Sequence, residues 1–248
     1  MTCLILAAGY ATRLYPLTEN FPKPLLKIGE KTILDYLIDD IDQSGETDRY
    51  IIISNHKYAR HFTDFAASKK QSIEVIDDGT ETNETRLGAV RDVQLAIEKY
   101  GLADAESGVL VVAGDNVLDF SLCRFISYAK EKRASCIMRY YEEDEKRLLK
   151  CGVVTVDKSD LVIRMTEKSP TPETHWCCPP FYYYAKEDVA KVKDGIDDGC
   201  GTDAPGSFMA WLCERSKVYA MEMPGSRYDI GNLESYENVR KNYKGIIN

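Results

Sequence analysis

The chain has 248 residues, of which 44% are hydrophobic and 29% charged, so it can bury a large globular core. Its formal net charge of −8 argues against a nucleic-acid-binding surface, where a basic face is usual. No stretch approaches the roughly 20 apolar residues that a membrane span needs. No basic segment precedes the first apolar run, as it would in a signal peptide. We expect a cytoplasmic protein without a nucleic-acid or membrane partner.

The first half of the sequence alternates short apolar runs with amphipathic segments. The apolar runs predict strands at 4–8, 50–54, 73–76 and 109–113. Helical spacing of apolar residues predicts helices at 32–44, 58–68 and 88–99. Such alternation is typical of a parallel sheet with helices on both faces.

The second half reads as mixed α and β structure. Strands are predicted at 134–140, 152–156, 161–166, 181–185 and 217–221, and helices at 122–131, 186–194, 207–213 and 233–243. The residues D-K-S-D between two of these strands favour a hairpin turn. No glycine- or proline-rich linker divides the chain. We predict one α/β domain over 1–248, with a Rossmann-like, mostly parallel mixed sheet and antiparallel additions in the second half.

Several familiar signatures fail. The P-loop pattern is interrupted by Glu30, and the glycines Gly199 and Gly201 follow a polar run rather than the strand that a dinucleotide fingerprint requires. The eight cysteines form no C-x-x-C pair, and Cys177 and Cys178 near His175 match no zinc spacing. There is no G-x-S-x-G and no plausible Cys-His pair. Covalent catalysis therefore has no obvious agent, and reduced thiols are expected.

The stretch 4–26 predicts an anion-binding loop. An apolar strand ends at Gly9, where backbone N–H groups can face a negatively charged ligand. Two cations, Arg13 and Lys23, follow on a segment that Pro16, Pro22 and Pro24 restrict to few conformations. An acidic chain needs such local cations to hold a phosphate ligand. We interpret the stretch as a triphosphate-binding loop.

This loop resembles the signature of the sugar-1-phosphate nucleotidyltransferases, the nucleotide-sugar pyrophosphorylases. That family writes it G-x-G-T-R-x-x-P-x-T, with P-K some residues later. The matching positions here are Gly9, Thr12, Arg13, Pro16, Thr18, Pro22 and Lys23. Ala11 stands where the family usually has glycine. The resemblance continues downstream over nearly the whole chain.

Two carboxylates match the metal-binding positions of the family. Asp115 lies in G-D-N directly after a predicted strand, and Asp229 lies in Y-D-I-G, which is similar to the family's W-x-D-x-G. Arg227 falls where a tryptophan is common. The resemblance implies that Asp115 and Asp229 bind Mg²⁺, which needs few protein ligands because it keeps waters and takes phosphate oxygens.

The resemblance also implies the substrate-binding residues. Those for the sugar phosphate are Lys23, Asn116, Gly152, Glu167 and Lys168, the last three in C-G-V-V and T-E-K, which look like the family's Y-G-V-V and E-E-K-P. Those for the nucleotide are Leu6, Ala7, Ala8, Gly9, Thr12, Arg13, Leu87 and Gly88. Pro179-Pro180 replaces the family's T-G pair, and the loop Asp203–Gly206 receives no role.

The activity implied by the resemblance joins a nucleoside triphosphate to a sugar 1-phosphate and releases pyrophosphate. Arg13 would stabilise the leaving pyrophosphate, and Lys23 the α-phosphate and the incoming phosphate. Residues 1–120 would bind the nucleotide and residues 121–231 the sugar, followed by a C-terminal helix at 232–245. The base, the sugar and a homo-oligomeric state are left open.

Two alternatives are kept. Relatives of this shape load cytidylyl groups onto phosphocholine, and Trp176 with Tyr182, Tyr183 and Tyr184 could form the aromatic cage that a quaternary ammonium needs. The other alternative is a non-catalytic nucleotide-sugar sensor, which would be expected to lose one of the four charged residues Arg13, Lys23, Asp115 and Asp229. All four are present.

Overall fold

The structure, a computed structural model, describes residues 1–246. Its helices are α1 Ile33–Asp42, α2 Ala59–Ala67, α3 Ala89–Tyr100, α4 Cys123–Lys132, α5 Glu145–Leu148, α6 Lys186–Val189, α7 Lys191–Asp197, α8 Gly206–Leu212 and α9 Leu233–Asn242. Its strands are β1 Thr2–Leu6, β2 Lys27–Ile28, β3 Lys31–Thr32, β4 Arg49–Ser54, β5 Ile73–Asp77, β6 Val109–Ala113, β7 Asn116–Leu118, β8 Ser135–Tyr141, β9 Gly152–Val156, β10 Val162–Glu167, β11 Trp176–Cys178, β12 Phe181–Tyr184, β13 Val218–Glu222 and β14 Arg227–Asp229. No helix in this range is long and apolar enough to cross a membrane.

The chain divides into two compact units. Unit 1 comprises Met1–Arg86, Ala113–Arg124 and the segment that begins at Pro224. Unit 2 comprises Leu87–Val112 and Phe125–Met223. Each unit is compact in its packing. The prediction of a single domain stays a prediction.

Unit 1 is built on the parallel strands β1, β4 and β5. Leu4 pairs with Ile51, and Ile51 with Glu74, so β4 lies between β1 and β5. Successive residues of β1 and β4 are buried, as expected where both faces of a parallel sheet are covered. Helix α1 starts with a capping box in which Thr32 and Asp35 exchange hydrogen bonds between side chain and backbone.

Unit 2 carries the antiparallel additions. Its strands follow the order β10–β9–β11–β8–β12–β6, with antiparallel pairing of β10 with β9, of β11 with β9 and β8, and of β12 with β8 and β6. Strand β13 joins β8 in parallel. The hairpin predicted between β9 and β10 is present. The predicted fold class, a mixed sheet that is parallel in the first half with antiparallel strands in the second, is confirmed.

Some element boundaries were wrong. Strand β1 ends at Leu6 rather than at residue 8, because its ladder with β4 ends at the Leu6–Ile53 pair. Only the N–H of Ala7 extends the pairing, donating to the carbonyl of Ile53 at 2.9 Å. The helix predicted over 186–194 is divided into α6 and α7 at Ala190, which keeps helical dihedral angles of −64° and −26°.

All eight cysteines are free thiols. Cys3, Cys136 and Cys177 are fully buried and pack as small apolar side chains. Burial raises the pKa of the Cys136 thiol to about 12, and it also raises the pKa of Cys3. These two thiols are therefore protonated and unreactive at neutral pH.

The turn after β6 brings that strand end against β1. The N–H of Gly114 donates to the carbonyl of Leu6 at 2.9 Å. A Cβ at position 114 would lie 2.9 Å from Cγ2 of Ile5 and 3.4 Å from the oxygen of Leu6. Only glycine permits this approach, which places the following residue, Asp115, beside the end of β1.

We expect Gly114→Ala to destabilise the protein, because a methyl group there displaces Ile5 or breaks the hydrogen bond to Leu6. The free energy of unfolding should fall by about 2 kcal/mol, the usual cost of overpacking. Gly9→Ala is the matched control, since a Cβ at position 9 meets no atom within 4 Å. Urea denaturation of both variants checks this. An equal loss in the two variants would contradict the packing explanation.

Candidate active site

Unit 1 contains an ion pair between a buried lysine and a partly exposed aspartate, both of them sequence-predicted residues. Lys23 opens a short 3₁₀ turn, Lys23–Leu25, whose N-cap is Pro22. The lysine is only 7% exposed. Its Nζ lies 2.8 Å from Oδ2 of Asp115, whose side chain is 43% exposed. The ammonium thus reaches from the opening loop to the turn after β6.

Asp115 is held as a carboxylate. Burial alone would raise its pKa, but the charge and hydrogen bond of Lys23 and the charge of Arg227 lower the pKa below its ordinary value. The second oxygen, Oδ1, accepts a hydrogen bond from Nδ2 of Asn116 at 3.1 Å. Both oxygens are therefore oriented, and the group is anionic at neutral pH.

The short ladder of β7 and β14 brings Asp229 to the same place. Asp229 pairs with Asn116 in this antiparallel ladder, so the Cα atoms of the two residues are about 5 Å apart. Asp229 is exposed, and within residues 1–246 its carboxylate has no hydrogen-bond or ion-pair partner. Asp229 therefore lies across the ladder from the residue that follows Asp115, and the metal site predicted at these two carboxylates stays a prediction.

Arg227, where the family commonly has tryptophan, reaches into this cluster. Its Nη1 donates to Oδ1 of Asn116 at 2.9 Å. That bond fixes the Asn116 amide with its nitrogen towards Asp115. In the sequence, Arg227 was only a departure from the family's W-x-D-x-G pattern. Its partner, Asn116, could not be identified without the β7–β14 pairing.

The residues present fit a hard divalent cation. Carboxylate oxygens are its preferred ligands, and Mg²⁺ requires few from the protein. Across the described chain no three His, Cys, Asp or Glu side chains form a group that could hold a metal. A metal at Asp115 and Asp229 would therefore take its remaining ligands from substrate and water.

The opening loop is shaped by a residue in the left-handed region. Ala11 has φ 46° and ψ 40°, a conformation that costs a non-glycine residue about 1 kcal/mol. A glycine would adopt this conformation without that cost. The carbonyl of Ala11 accepts from Thr18 Oγ1 at 2.8 Å, and the Thr18 carbonyl accepts from the hydroxyl of Tyr58 at 2.6 Å. Thr18 and Tyr58 are buried, so these hydrogen bonds hold the loop on its interior side.

A second anchor holds the start of the loop. Nδ2 of Asn55, a fully buried residue after β4, donates to the carbonyl of Ala8 at 2.9 Å. Gly9, Thr12 and Arg13 beyond it are exposed. Arg13 makes no ion pair within residues 1–246, so its guanidinium can meet a ligand. Asn55 was missed by the sequence analysis, although its place at the carboxyl end of a parallel strand is a usable signal.

Unit 2 holds Glu167 in a slot between two glycine backbones. A Cβ at Gly152 would lie 2.6 Å from Oε2 of Glu167, and a Cβ at Gly206 would lie 2.4 Å from the same atom. Burial raises the pKa of Glu167 to about 7, although the neighbouring charge of Lys168 lowers it. Near neutral pH the carboxyl can therefore donate or accept a hydrogen bond.

Lys168 follows at the end of β10 in a left-handed conformation, with φ 49°. Its N–H donates to the carbonyl of Cys151 at 3.0 Å. Its Nζ lies 3.5 Å from Oδ2 of Asp203, and both side chains are more than half exposed. This ion pair is solvated and weak, so the lysine is available to another anion.

The loop Asp203–Gly206, to which the sequence gave no role, begins beside the start of α3. The carbonyls of Thr202 and Asp203 accept hydrogen bonds from Val90 and Ala89. A Cβ at Gly88 would lie 2.5 Å from the Thr202 oxygen, and Gly88 has φ 92°. Glycine is needed here for packing and backbone conformation. The roles of Leu87 and Gly88 in nucleotide binding stay predictions.

The aromatic residues considered for a choline cage are buried or in contact with other residues of unit 2. Tyr182 and Tyr184 are buried. Tyr183, on the other face of the strand, has its hydroxyl against Gly108. The guanidinium of Arg139 lies 4.7 Å from the ring centroid of Trp176. Pro179 and Pro180 form the tight turn between β11 and β12, where the carbonyl of Pro179 accepts from the N–H of Phe181 at 2.8 Å.

The sequence-predicted residues thus form two groups. In unit 1, Lys23, Asp115, Asn116 and Asp229 come together, and the loop carrying Gly9 and Arg13 starts from the end of β1. In unit 2, Glu167 and Gly152 meet, with Lys168 next to them. In unit 1, cations and carboxylates lie at the carboxyl ends of parallel strands, which is where ligands bind in open α/β sheets.

The family is established by comparison with known sequences. The family model described as "Nucleotidyl transferase" matches residues 2–245. The chain belongs to this family.

Individual relatives are distant. A glucose-1-phosphate adenylyltransferase of Fervidobacterium nodosum is 24% identical over 250 residues, which cover 94% of this chain and 59% of the relative. The bifunctional protein GlmU of Methanococcus aeolicus is 27% identical over 266 residues, covering 100% of this chain and 57% of the relative. The chain thus spans little more than half the length of these relatives.

Solved structures share the fold. The crystal structure of a UDP-glucose pyrophosphorylase complexed with UDP-glucose superposes with a TM-score of 0.81 at 18% identity, covering 98% of this chain and 97% of the other. This likeness agrees with the strand arrangement described for each unit.

We expect the stability of the protein to depend on pH through Glu167. The pKa of this group is about 7 in the folded protein against an ordinary value of 4.5. Between these values the folded protein keeps a proton that the unfolded chain has lost, so the stabilisation is complete below pH 4.5 and disappears as the pH rises to 7. Glu167→Gln should reduce the fall in unfolding free energy between pH 4.5 and 7.5 by about 1–2 kcal/mol, allowing for partial solvent exposure.

Urea denaturation at several pH values measures this fall. Glu143→Gln, at an exposed glutamate of the same unit, is the control and should leave the pH profile unchanged. An unchanged profile in Glu167→Gln would show that the carboxyl has an ordinary pKa.

Proposed function

We propose that the chain transfers a nucleotidyl group from a nucleoside triphosphate to a sugar 1-phosphate, giving a nucleotide-sugar and pyrophosphate. One observation carries this proposal: the buried Lys23 is paired with Asp115, and Asp229 lies across the β7–β14 ladder from the next residue, Asn116. A lysine and two carboxylates at one point suit a phosphate chain and its metal ion. Family membership and the names of the relatives support the same reaction.

The attacking oxygen of a sugar phosphate is already anionic at neutral pH, so no general base is needed. The residues act by positioning the reactants and neutralising charge. The Lys23 ammonium has three N–H donors and one is used on Asp115. The other two can bind oxygens of the α-phosphate and of the incoming phosphate.

Arg13 has a separate role on the leaving group. Its exposed guanidinium can bind two oxygens of the pyrophosphate in a fork. The exposed backbone of Gly9 lets the phosphate chain approach closely, since nothing lies within 4 Å of its Cβ position. Asp115 and Asp229 would hold Mg²⁺, which when bound neutralises phosphate charge.

Unit 2 supplies the groups we propose for the sugar. Glu167, with a pKa of about 7, has no hydrogen-bond partner within residues 1–246 and can pair with sugar hydroxyls as donor or acceptor. Lys168 and the backbone at Gly152 would bind the sugar phosphate. A hydroxylated acceptor is favoured over phosphocholine, because the candidate cage rings are buried or already covered by Arg139.

The reaction is tested by crossing nucleoside triphosphates with hexose 1-phosphates and phosphocholine and measuring pyrophosphate release. At least one hexose 1-phosphate should give turnover, and phosphocholine should give none. Turnover with phosphocholine alone would replace the proposed acceptor. Nucleotide binding without turnover across the whole panel would favour a sensor.

Asp115→Asn should lower kcat by a factor of about 100 or more, because the metal loses an anionic ligand and Lys23 loses its counter-charge. Pyrophosphate release at saturating Mg²⁺ measures it, with thermal unfolding as a check of folding. Asp39→Asn, which breaks a surface pair with Lys31, should keep wild-type turnover. Turnover of Asp115→Asn within about fivefold of wild type would refute the metal assignment.

Arg13→Ala should lower kcat about 100-fold while leaving stability within about 0.5 kcal/mol, because the side chain is exposed. Steady-state kinetics separate the possible roles. A rise in KM with unchanged kcat would mean that Arg13 binds the triphosphate only in the ground state. Arg60→Ala, at another exposed arginine of unit 1, serves as the control and should change neither constant.

A further inference from the structure

A cationic cleft lies in unit 2, apart from all the residues assigned above. Its volume is about 390 Å³, within the range of small-ligand sites. Its charged lining residues are Lys132, Arg133, Glu187, Asp188, Lys191 and Lys217. In a chain with a net charge of −8, a surface where cations outnumber carboxylates is unusual.

The innermost carboxylate of this cleft is already neutralised. Asp188 is 4% exposed. Its Oδ2 accepts from Ser135 Oγ at 2.6 Å, and its Oδ1 accepts from Ser216 Oγ at 2.7 Å and from Lys191 Nζ at 2.8 Å. Lys191 also donates to Ser216 Oγ at 2.7 Å. The buried acid thus orients an ammonium and a hydroxyl at the cleft wall, and its charge is cancelled by Lys191.

The other cations outnumber the one remaining carboxylate, Glu187. Lys132 lies over the rings of Tyr219 and Tyr128, 4.6 and 5.2 Å from their centroids. Arg133 and Lys217 are exposed, and neither has an ion-pair partner in the part of the chain that the structure describes. The cleft is therefore left with an excess of positive charge.

Arg133 occupies a backbone position that favours glycine. It ends α4 with φ 50°, and its N–H donates to the carbonyl of Ala129 at 3.0 Å. This is the left-handed C′ position of a helix, where glycine or asparagine is usual because a Cβ is strained there. Helix termination alone would select glycine. An arginine at this position needs a reason, and its side chain lines the cleft.

We propose that this cleft binds a small molecule carrying a phosphate group. Arg133 and Lys217 supply the unpaired charges, and the Lys191 ammonium, which gives one N–H to Asp188 and one to Ser216, keeps a third for a phosphate oxygen. Such a combination of guanidinium and ammonium donors is suited to phosphate oxygens. The proposal does not depend on the activity proposed for unit 1.

The test is a titration of ¹⁵N-labelled protein with inorganic phosphate at constant ionic strength, followed by backbone amide shifts. Amides of Arg133, Lys191 and Lys217 should shift and saturate with one Kd, on the order of 1 mM. Arg133→Gly and Lys217→Gln should each raise this Kd about fivefold or more, the effect of losing one charge-assisted contact. Lys70→Gln, at an exposed lysine of unit 1, should leave it unchanged.

Arg133→Gly also distinguishes binding from folding. It relieves backbone strain, so its unfolding temperature should rise by about 2 °C while phosphate binding weakens. Equal phosphate affinity in Arg133→Gly and wild type would overturn the proposal, as would saturable shifts confined to residues 9–23. Repeating the titration in Asp115→Asn separates the two sites, because the cleft should still bind phosphate when the proposed transferase site is disabled.

Discussion

The ion pair of Lys23 and Asp115 is the contact on which unit 1 depends. A lysine that is only 7% exposed needs an anionic partner, because an unpaired charge in the interior is costly. Asp115 provides it across 92 residues of sequence. The contact closes the opening loop over the end of β6, and the Gly114 N–H bond to Leu6 makes that closure possible. Within residues 1–246 the other two N–H groups of the Lys23 ammonium make no hydrogen bond.

The two units shift the pKa values of their carboxyl groups in opposite directions. In unit 1, cations next to Asp115 outweigh burial and lower its pKa. In unit 2, burial between Gly152 and Gly206 outweighs Lys168 and raises the pKa of Glu167 to about 7. Different environments thus shift the pKa values of two carboxyl groups in opposite directions. One carboxyl is a permanent anion suited to a cation, and the other can donate a hydrogen bond to a neutral hydroxyl.

The sequence predicted the longer strands of both units, because apolar runs are local features, but it missed the two- and three-residue strands β2, β3, β7, β11 and β14. It could not predict the pairing of β7 with β14, since three-residue strands carry no periodicity, and the Arg227–Asn116 bond depends on that pairing. The sequence analysis identified Thr18 only as a residue that matches the family signature. Its role in closing the loop requires the left-handed Ala11 and the Tyr58 hydroxyl, which come from distant parts of the chain.

The start of α3 has a consequence for how phosphate charge can be met. Its first N–H groups are engaged by the carbonyls of Thr202 and Asp203, so this helix end has few free donors for an anion. Charged side chains are then the main donors for a phosphate ligand, and they differ in their exposure to dissolved ions. Salt screens an exposed guanidinium such as Arg13 within about 8 Å at physiological ionic strength, and it screens a buried ammonium such as Lys23 much less. With the phosphate contacts proposed for these two residues, a rise in salt would weaken the contact of Arg13 before that of Lys23.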